Sequence, residues 1–381
     1  MRFFHIADLH LGKRVGEFSM TDDQEDILRK IAALAREHKP DAVLIAGDVY
    51  DKATPPVEAV RLLDWFLVRL NELGVAVYLI AGNHDSAERV AFGADLLKRS
   101  HVHIAHSYKG PLETAKLEDA HGEVNIWMLP YLKPSLARVW LPNKAIETYS
   151  DAVEIALSGA EIDTAKRNVL VAHQFVTGAE ISEGSEEISV KTSENIDGRL
   201  FDAFDYVALG HIHRPQSVGR ETVRYCGTPL KYSFSEINQQ KSVTVVDMGK
   251  KGTVNISELP LVPSREMRKV RGTYAEIMNR GFYQKMDTDN DYIHIVLTDE
   301  RDEPDALAKL RQVYKNILSF RYDNKRTQTQ EALESVSDLN KSSPAELFGE
   351  FFAGRHGRPM SEKQEKYARA LFARIREEAG A

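Results

Sequence analysis

The sequence predicts an α/β protein in which two sheets pack face to face with helices outside. Three observations predict it. From Arg2 to Ala105, short apolar runs alternate with amphipathic helical stretches, the β-α-β pattern of parallel strands. A second group of apolar runs follows between Val124 and Leu259 and supplies a second sheet. Several of these runs stop on Asp, Asn or His, which puts chemistry at the C-terminal edge of the strands, where open α/β sheets bind their ligands.

In chain order, Arg2 to Asp8 reads as a first strand, broken by Leu11-Gly12. Asp22 to His38 has helical periodicity, with Ile27, Ile31, Leu34 and Ala35 on one face. Ala42 to Ala46 is the second strand and stops at Gly47-Asp48. Pro55-Pro56 opens a helix carrying Val60, Leu63, Phe66, Leu67 and Leu70, and Gly74 ends it. Val75 to Ala81 is the third strand, closing on Gly82-Asn83-His84-Asp85. Ser86 to Arg99 reads as a helix. Val102 to Ala105 and Val124 to Leu129 read as strands separated by a polar hairpin or loop. Tyr149 to Ala160 is helical, Val169 to Ala172 is a strand ending at His173, and Gly178 to Ser193 is a surface loop. Tyr206 to Leu209 is a strand ending in Gly210-His211-Ile212-His213. Val223 to Cys226, Ser242 to Val246 and Val254 to Leu259 complete the second set. Leu261-Val262-Pro263 marks a boundary, after which Arg268 to Leu297 and Asp305 to Leu318 give a short α+β pattern. Ser319 to Ser343 is polar, and two amphipathic helices, Ala345 to Phe352 and Glu362 to Glu378, close the chain.

Composition bounds the function. The chain has 381 residues, 43% hydrophobic and 28% charged, enough for more than one domain. A net charge of -7 gives no overall basic field, so affinity for nucleic acid has to come from a local patch or from bound cations. Arg265, Arg268, Lys269 and Arg271 form one basic segment, which suits DNA phosphates or a solvated strand edge. A single cysteine, Cys226, excludes a disulfide framework within the chain. Met1-Arg2 leads straight into strand-like residues and no apolar run spans a bilayer, so a soluble cytoplasmic protein is expected. The chain has no Gly-x-x-x-x-Gly-Lys-Ser/Thr loop and is not expected to hydrolyse ATP itself.

The candidate metal ligands are Asp8, His10, Asp48, Asn83, His173, His211 and His213, each at or just past an apolar strand. Asp8 with His10, and His211 with His213, are two apart, which in extended backbone puts both side chains on one face. Seven ligands exceed one tetrahedral site and suit two adjacent ions with Asp48 as the bridge. Carboxylate, imidazole and amide ligands without thiolate favour manganese, iron or zinc. Two such ions less two carboxylates leave about +2, which attracts phosphate. An ion pair ~3.5–4 Å apart can acidify a shared water and clamp the attacking and leaving oxygens of an in-line displacement. His84, beside the ligands, is the candidate group to protonate a leaving alkoxide, and Asp51 the candidate to orient it. His101-Val102-His103 begins a strand rather than ending one and is assigned to the surface, while His5, inside the first strand, is structural.

Asp8-Leu9-His10, Gly47-Asp48-Val49-Tyr50-Asp51, Gly82-Asn83-His84-Asp85, Ala172-His173 and Gly210-His211-Ile212-His213 resemble the ordered motifs of calcineurin-like metallophosphoesterases. Val176 to Glu180, Tyr225 to Leu230 and Ser233 to Glu236 look like the SbcD nuclease subunits within that superfamily. The resemblance implies a two-sheet metallophosphoesterase sandwich with a small α+β capping domain and a C-terminal helical pair. On that pattern residues 1–262 form the nuclease domain and 263–325 the capping domain for DNA recognition. Residues 326–343 form a linker and 344–381 the partner-binding helices. It implies two Mn²⁺ ions, one on Asp8, His10, Asp48 and His213 and the other on Asp48, Asn83, His173 and His211, with His84 catalytic. It implies 3′-5′ exonuclease action on double-stranded DNA and endonuclease action on hairpins and single strands, in repair and recombination. It also implies a homodimer that works with an SbcC-type coiled-coil ATPase. Asp51 stands where archaeal relatives often have histidine. A small-molecule phosphodiesterase or nucleotidase needs neither the chain beyond Pro263 nor partner helices, and a non-catalytic scaffold would have lost ligands that are all present here.

Overall fold

The structure, a computed structural model, describes residues 1–180, 194–325 and 327, and in the C-terminal segment 348, 349, 352, 360, 361, 363–368 and 371. In chain order the main elements are β1 (Arg2–Ile6), α1 (Thr21–His38), β2 (Ala42–Ala46), α2 (Val57–Glu72), β3 (Ala76–Ile80), β4 (Val102–Ala105), β5 (Glu113–Asp119) and β6 (Gly122–Leu129). They continue with α3 (Tyr149–Ser158), β7 (Arg167–His173), β8 (Tyr206–Gly210), β9 (Gln216–Val218), β10 (Arg220–Tyr225), β11 (Ser242–Met248) and β12 (Val254–Pro260). After these come β13 (Met267–Gly272), β14 (Tyr292–Leu297) and β15 (Asn316–Tyr322).

Two six-stranded sheets carry the fold, in the orders β12-β11-β1-β2-β3-β4 and β9-β10-β8-β7-β6-β5. Strands β1 to β4 pair in parallel, and so do β6, β7, β8 and β10, while β11, β12, β5 and β9 pair antiparallel at the outer positions. Side-chain alternation divides each central strand between two cores. Phe3, Leu44 and Tyr78 of the first sheet pack with Ile126, Val169, Val171 and Ala208 of the second. Phe4, Val43, Ile45 and Leu79 face the other way, onto Ile27, Ile31, Leu63 and Phe66 of α1 and α2. The apolar runs read as buried strands because both of their faces are covered.

Contacts divide the chain into two units. One holds residues 1–269, 286–294 and 314–319, and the other 270–285, 295–313 and 320–381. Strands β13, β14 and β15 form a three-stranded sheet in that order, and each has residues in both units. The linker expected at 326–343 and most of the helical pair lie outside the described residues.

Several readings change. Ser242–Met248 and Val254–Pro260 belong to the first sheet and not to the second set of strands: β11 pairs antiparallel with β1, and β12 with β11. Ser86 to Arg99 is not one helix: single turns at Ala87–Val90 and Ala94–Leu97 are separated by Gly93 at φ +75°, which breaks the hydrogen-bond ladder. On α2 the buried face runs through Ala59, Leu62, Leu63, Phe66, Leu67 and Leu70, and Val60 is exposed. Of the hairpin or loop expected before Val124, the hairpin is what forms: β5, a polar edge strand, pairs along its length with β6. The helix at Pro134–Trp140 is an element absent from the sequence reading; it is two turns long and buries only Ala137. Arg265, Arg268 and Arg271 spend their charge on Asp23, Asp291 and Asp323 at 3.6, 2.5 and 2.9 Å, which favours the strand-edge reading of that basic segment. No described helix is long and apolar enough to cross a membrane.

Candidate metal centre

The C-terminal ends of β1, β2, β3, β7 and β8 deliver every candidate ligand to one place. The parallel register aligns those ends: Ile6 lies beside Ile45 and Ile45 beside Leu79 in one sheet, and Gly210 beside His173 in the other. Past β1 and β2 the chain is clipped by main-chain bonds, Asp8 N–H to Gly47 O and His10 N–H to Asp48 O, each 3.0 Å. The two sheets meet closely at Gly210, where a β-carbon would collide with the carbonyl of Ala46. Gly47, at φ +87°, leaves the space that the His173 ring fills.

The paired ligands do not lie in extended backbone. Asp8, His10, Asp48 and His211 have φ of 52°, 44°, 48° and 99°, the left-handed region that costs a non-glycine residue about 1–3 kcal/mol. Strand alternation therefore is not what brings Asp8 to His10 or His211 to His213. The chain turns after each strand, and Leu9 and Ile212 stay buried while their neighbours turn to the site.

His10 Nε2 and His213 Nε2 face each other at 3.2 Å, and Asp8 Oδ1 and Oδ2 accept the His211 N–H at 3.0 and 3.1 Å. Asn83 Oδ1 lies 3.0 Å from His173 Nε2 and 2.9 Å from His211 Nδ1. Asp48 Oδ2 stands between these groups, 3.4 Å from His173 Nε2 and 3.8 Å from His10 Nε2. Donor atoms of Asp8, His10 and His213 fall together, as do those of Asp8, Asp48 and His173. His84 is half-buried beside them. Its N–H donates to Asp48 Oδ1 at 2.9 Å, and its Nδ1 lies 3.0 Å from the main-chain oxygen of Asp51. The Asp51 carboxylate accepts instead from buried Lys13 at 2.7 Å and lies 3.8 Å from His10 Nδ1. His5 is buried against the Tyr206 hydroxyl at 2.8 Å, and His103 stacks on Tyr78, so neither joins the site.

Comparison with known proteins decides the family. Residues 1–215 match the calcineurin-like phosphoesterase family, and residues 263–356 match the type 5 capsule protein repressor C-terminal domain family. The chain is 33% identical over 323 residues to the SbcD subunit of the nuclease SbcCD from Staphylococcus epidermidis, covering 84% of this chain and 85% of that protein. The chain belongs to the SbcD family of calcineurin-like phosphoesterases. Among solved structures, a dimetal phosphatase from Danio rerio aligns at 12% identity and TM-score 0.41 over 69% of this chain and 99% of its own. A protein from Thermus thermophilus aligns at 12% identity and TM-score 0.38 over 68% and 98%.

Divalent metals are implied for an SbcD-family chain, and the donor set fits them. His211 Nε2 is buried with no hydrogen-bond partner among the described residues, and of two facing Nε2 atoms at most one carries the shared proton. Burial also pushes His10 well down and His211 down to about 3, so both rings stay neutral and keep a lone pair for a cation. Burial works against the charge on His173 as well, but Asp48 and Asp8 outweigh it and raise that ring to about 9. Asp48 is the counterpart: burial would raise it, and His173 and His10 hold it far below the usual carboxylate range. Asp8 is raised to about 7, chiefly by burial.

The metal-free site therefore holds protons that a cation has to displace. Mn²⁺ affinity is expected to rise as pH rises. Between about 7 and about 9 the protonated His173 gives up one proton, a slope of about tenfold per pH unit; below about 7 Asp8 gives up a second and the slope steepens. Titration calorimetry of metal-free protein at several pH values measures it, and an affinity flat with pH would contradict the proton assignments.

Sequence reasoning missed the residues that hold the ligands in place. Asp85 accepts the N–H groups of Val49, Tyr50 and Gly82 at 3.0, 2.9 and 2.9 Å and so ties the β2 end to the β3 end. Gln24 of α1 bonds Gly12 N–H at 2.9 Å and His10 O at 2.7 Å. A signal existed for Gln24, a polar residue spaced onto the buried face with Ile27 and Leu28. Lys13 and Lys241 carried none that spacing could read, and Glu236 entered only through the Ser233 to Glu236 segment of the resemblance, with no role attached.

Proposed function

We propose that this chain is a nuclease subunit that hydrolyses DNA phosphodiester bonds at a two-Mn²⁺ centre. It acts as a 3′-5′ exonuclease on double-stranded DNA and as an endonuclease on hairpins and single strands, in repair and recombination. The observation that carries this reading is the convergence of Asp8, His10, Asp48, Asn83, His173, His211 and His213 from five strand ends around one carboxylate, Asp48. Family membership and the nuclease name of the Staphylococcus epidermidis relative support the substrate class.

Asp8, His10, Asp48 and His213 would hold one ion, and Asp48, Asn83, His173 and His211 the other. Two divalent cations there supply positive charge for a phosphodiester and its transition state and acidify water. The chain's own residues do the rest. Asp48 fixes the His84 backbone, so the ring's place follows the ligand it stands beside. A carbonyl only accepts, so His84 Nδ1–H donates to Asp51 O, and Nε2 is the atom left to face a leaving oxygen, to which it gives a proton when the ring is doubly protonated. End-labelled duplex and hairpin DNA should be cut with Mn²⁺ and spared when chelator is added. Hydrolysis that persists after complete metal removal would sink the proposal.

The chain is further proposed to dimerise and to engage an SbcC-type ATPase through its C-terminal segment. Supporting this, Phe348, Phe352, Met360, Tyr367 and Leu371 line an apolar cavity of about 400 Å³, and Tyr367 is 72% exposed. Deleting residues 341–381 should leave a homodimer by light scattering and retain Mn²⁺-dependent cutting of simple substrates. It should abolish co-purification with the ATPase. A truncated chain that still co-purifies, or that unfolds, overturns the assignment.

A further inference from the structure

A buried ion pair stands directly behind one candidate ligand. Glu236 is fully buried and Lys241 nearly so, although neither was among the residues singled out for chemistry. Glu236 Oε2 accepts from the Lys241 ammonium at 2.5 Å and from the Thr228 hydroxyl at 3.1 Å. Its other oxygen, Oε1, lies 3.3 Å from the Tyr232 N–H and 3.5 Å from His213 Nδ1. The same lysine donates to the main-chain oxygen of His213 at 3.0 Å, and also reaches Thr228 Oγ1 at 2.7 Å and Gln239 Oε1 at 2.8 Å. His213 is thus held twice, ring by Glu236 and backbone by Lys241, and the two holders are bonded to each other.

A buried lysine and glutamate are expensive to desolvate, and a hydrophobic pair of similar volume is often as stable or more so. Such a pair calls for a reason beyond stability. The surrounding ligands supply a contrast. His173 Nδ1 is anchored on the main-chain oxygen of Ala46 at 2.8 Å, and His211 Nδ1 lies on the Asn83 amide oxygen at 2.9 Å. His10 has a looser counterpart in the Lys13-bonded Asp51 carboxylate, 3.8 Å from its Nδ1; the fully buried Glu236 stands nearer the His213 ring, at 3.5 Å, and its lysine also holds the ligand's own backbone. Carboxylates behind metal-bound imidazoles fix the tautomer and raise the basicity of the ligating nitrogen.

We infer that Glu236 and Lys241 are positioning residues for the ion held through His213. Glu236 keeps the His213 proton on Nδ1, so that Nε2 presents its lone pair beside His10 Nε2, and Lys241 keeps both the carboxylate and the His213 backbone in place. The inference rests on the two-ion reading of the site, and its experiment separates the failure of one from the failure of the other.

Nitrogen-15 NMR of histidine-labelled, metal-free wild-type protein reads the His213 tautomer, with His213→Asn identifying the signal. The Nδ1–H form is expected, and an Nε2–H form overturns the inference whatever the variants do. Calorimetry with Mn²⁺ then compares wild type with Glu236→Gln/Lys241→Met, which removes both charges together and leaves neither buried alone. Wild type should bind two ions. In the double variant one ion should weaken by about 10–100-fold while the other keeps its affinity. Thr228→Val, a smaller change, should shift the same ion in the same direction and covers the case in which the double variant does not fold. Wild type that binds no Mn²⁺ removes the two-ion reading and the inference with it. Wild type that binds two ions, with folded variants that bind both as tightly, removes the inference alone.

Discussion

Asp48→Ala is expected to abolish phosphodiester hydrolysis and to leave the site unable to hold two Mn²⁺ ions. The carboxylate has three neighbours to satisfy. Oδ1 takes the His84 N–H at 2.9 Å, and Oδ2 stands 3.4 Å from His173 Nε2 and 3.8 Å from His10 Nε2. Asp8 also groups with histidines of both candidate ions, but it stands farther from His173, at 3.9 Å. Alanine removes the one negative charge both ions would share, and the stabilisation lost on transfer of a phosphoryl group is several kcal/mol, about 10³-fold or more in rate. Asp48→Asn separates charge from hydrogen bonding: it keeps an acceptor for the His84 N–H, yet it too should be inactive. In both variants His173 loses the counter-ion that raises its pKa and should titrate at lower pH. Metal analysis with a rate assay on labelled duplex checks all of this. An Asp48→Ala protein that binds two ions and cuts at the wild-type rate would remove Asp48 from the bridging role.

His84→Gln should keep both ions and DNA binding and lose cutting by about 10²–10⁴-fold, the range for a group that moves a proton in the transition state. His84 groups with His10 and Asp51 and, among the described residues, not with Asp48, His173 or His211, so it is expected to stand at the margin of the ion pair. Its backbone is tied to Asp48, its Nδ1 to Asp51 O at 3.0 Å, and its ring meets His10 edge-on with centroids 4.9 Å apart. Loss of an ion from His84→Gln would make His84 a ligand and end the assignment. The structure adds a control that the residue types alone do not offer. Asp51 orients His84 through a main-chain oxygen, which Asp51→Asn retains, so this variant should cut far better than His84→Gln. If Asp51→Asn falls to the level of His84→Gln with its metals bound, the carboxylate and not the carbonyl matters to the reaction.

Much of the fold was legible because its strands are buried on both faces. Val43, Leu44 and Ile45, or Val169, Leu170 and Val171, are continuous apolar runs of strand length, and their end residues stand out by polarity. Elements without a large apolar share were not legible. Strand β5 is a polar edge, and the turns from Ala87 to Ser100 are divided by Gly93, which only the backbone conformation shows to be a break. The candidate ligands were found because each follows a recognisable strand end. Their supports were not found, since Glu236 lies 23 positions beyond His213 in a stretch with no strand or helix period.

The sequence by itself determined which strand ends carry Asp, Asn and His, in what order, and that parallel strands would bring those ends to one edge. Those are local properties: apolar run, turn, residue type. Tertiary structure decided how the side chains meet. Asp8 reaches His211 across 203 positions, and His10 reaches His213 across the same span, and Asp8, His10 and His211 do so from positive φ, which is uncommon in any non-glycine residue. Such conformations persist only where the surroundings over-determine them. Here the surroundings are the clip between the β1 and β2 ends, the close meeting of the sheets at Gly210, and the buried Glu236–Lys241 pair behind His213.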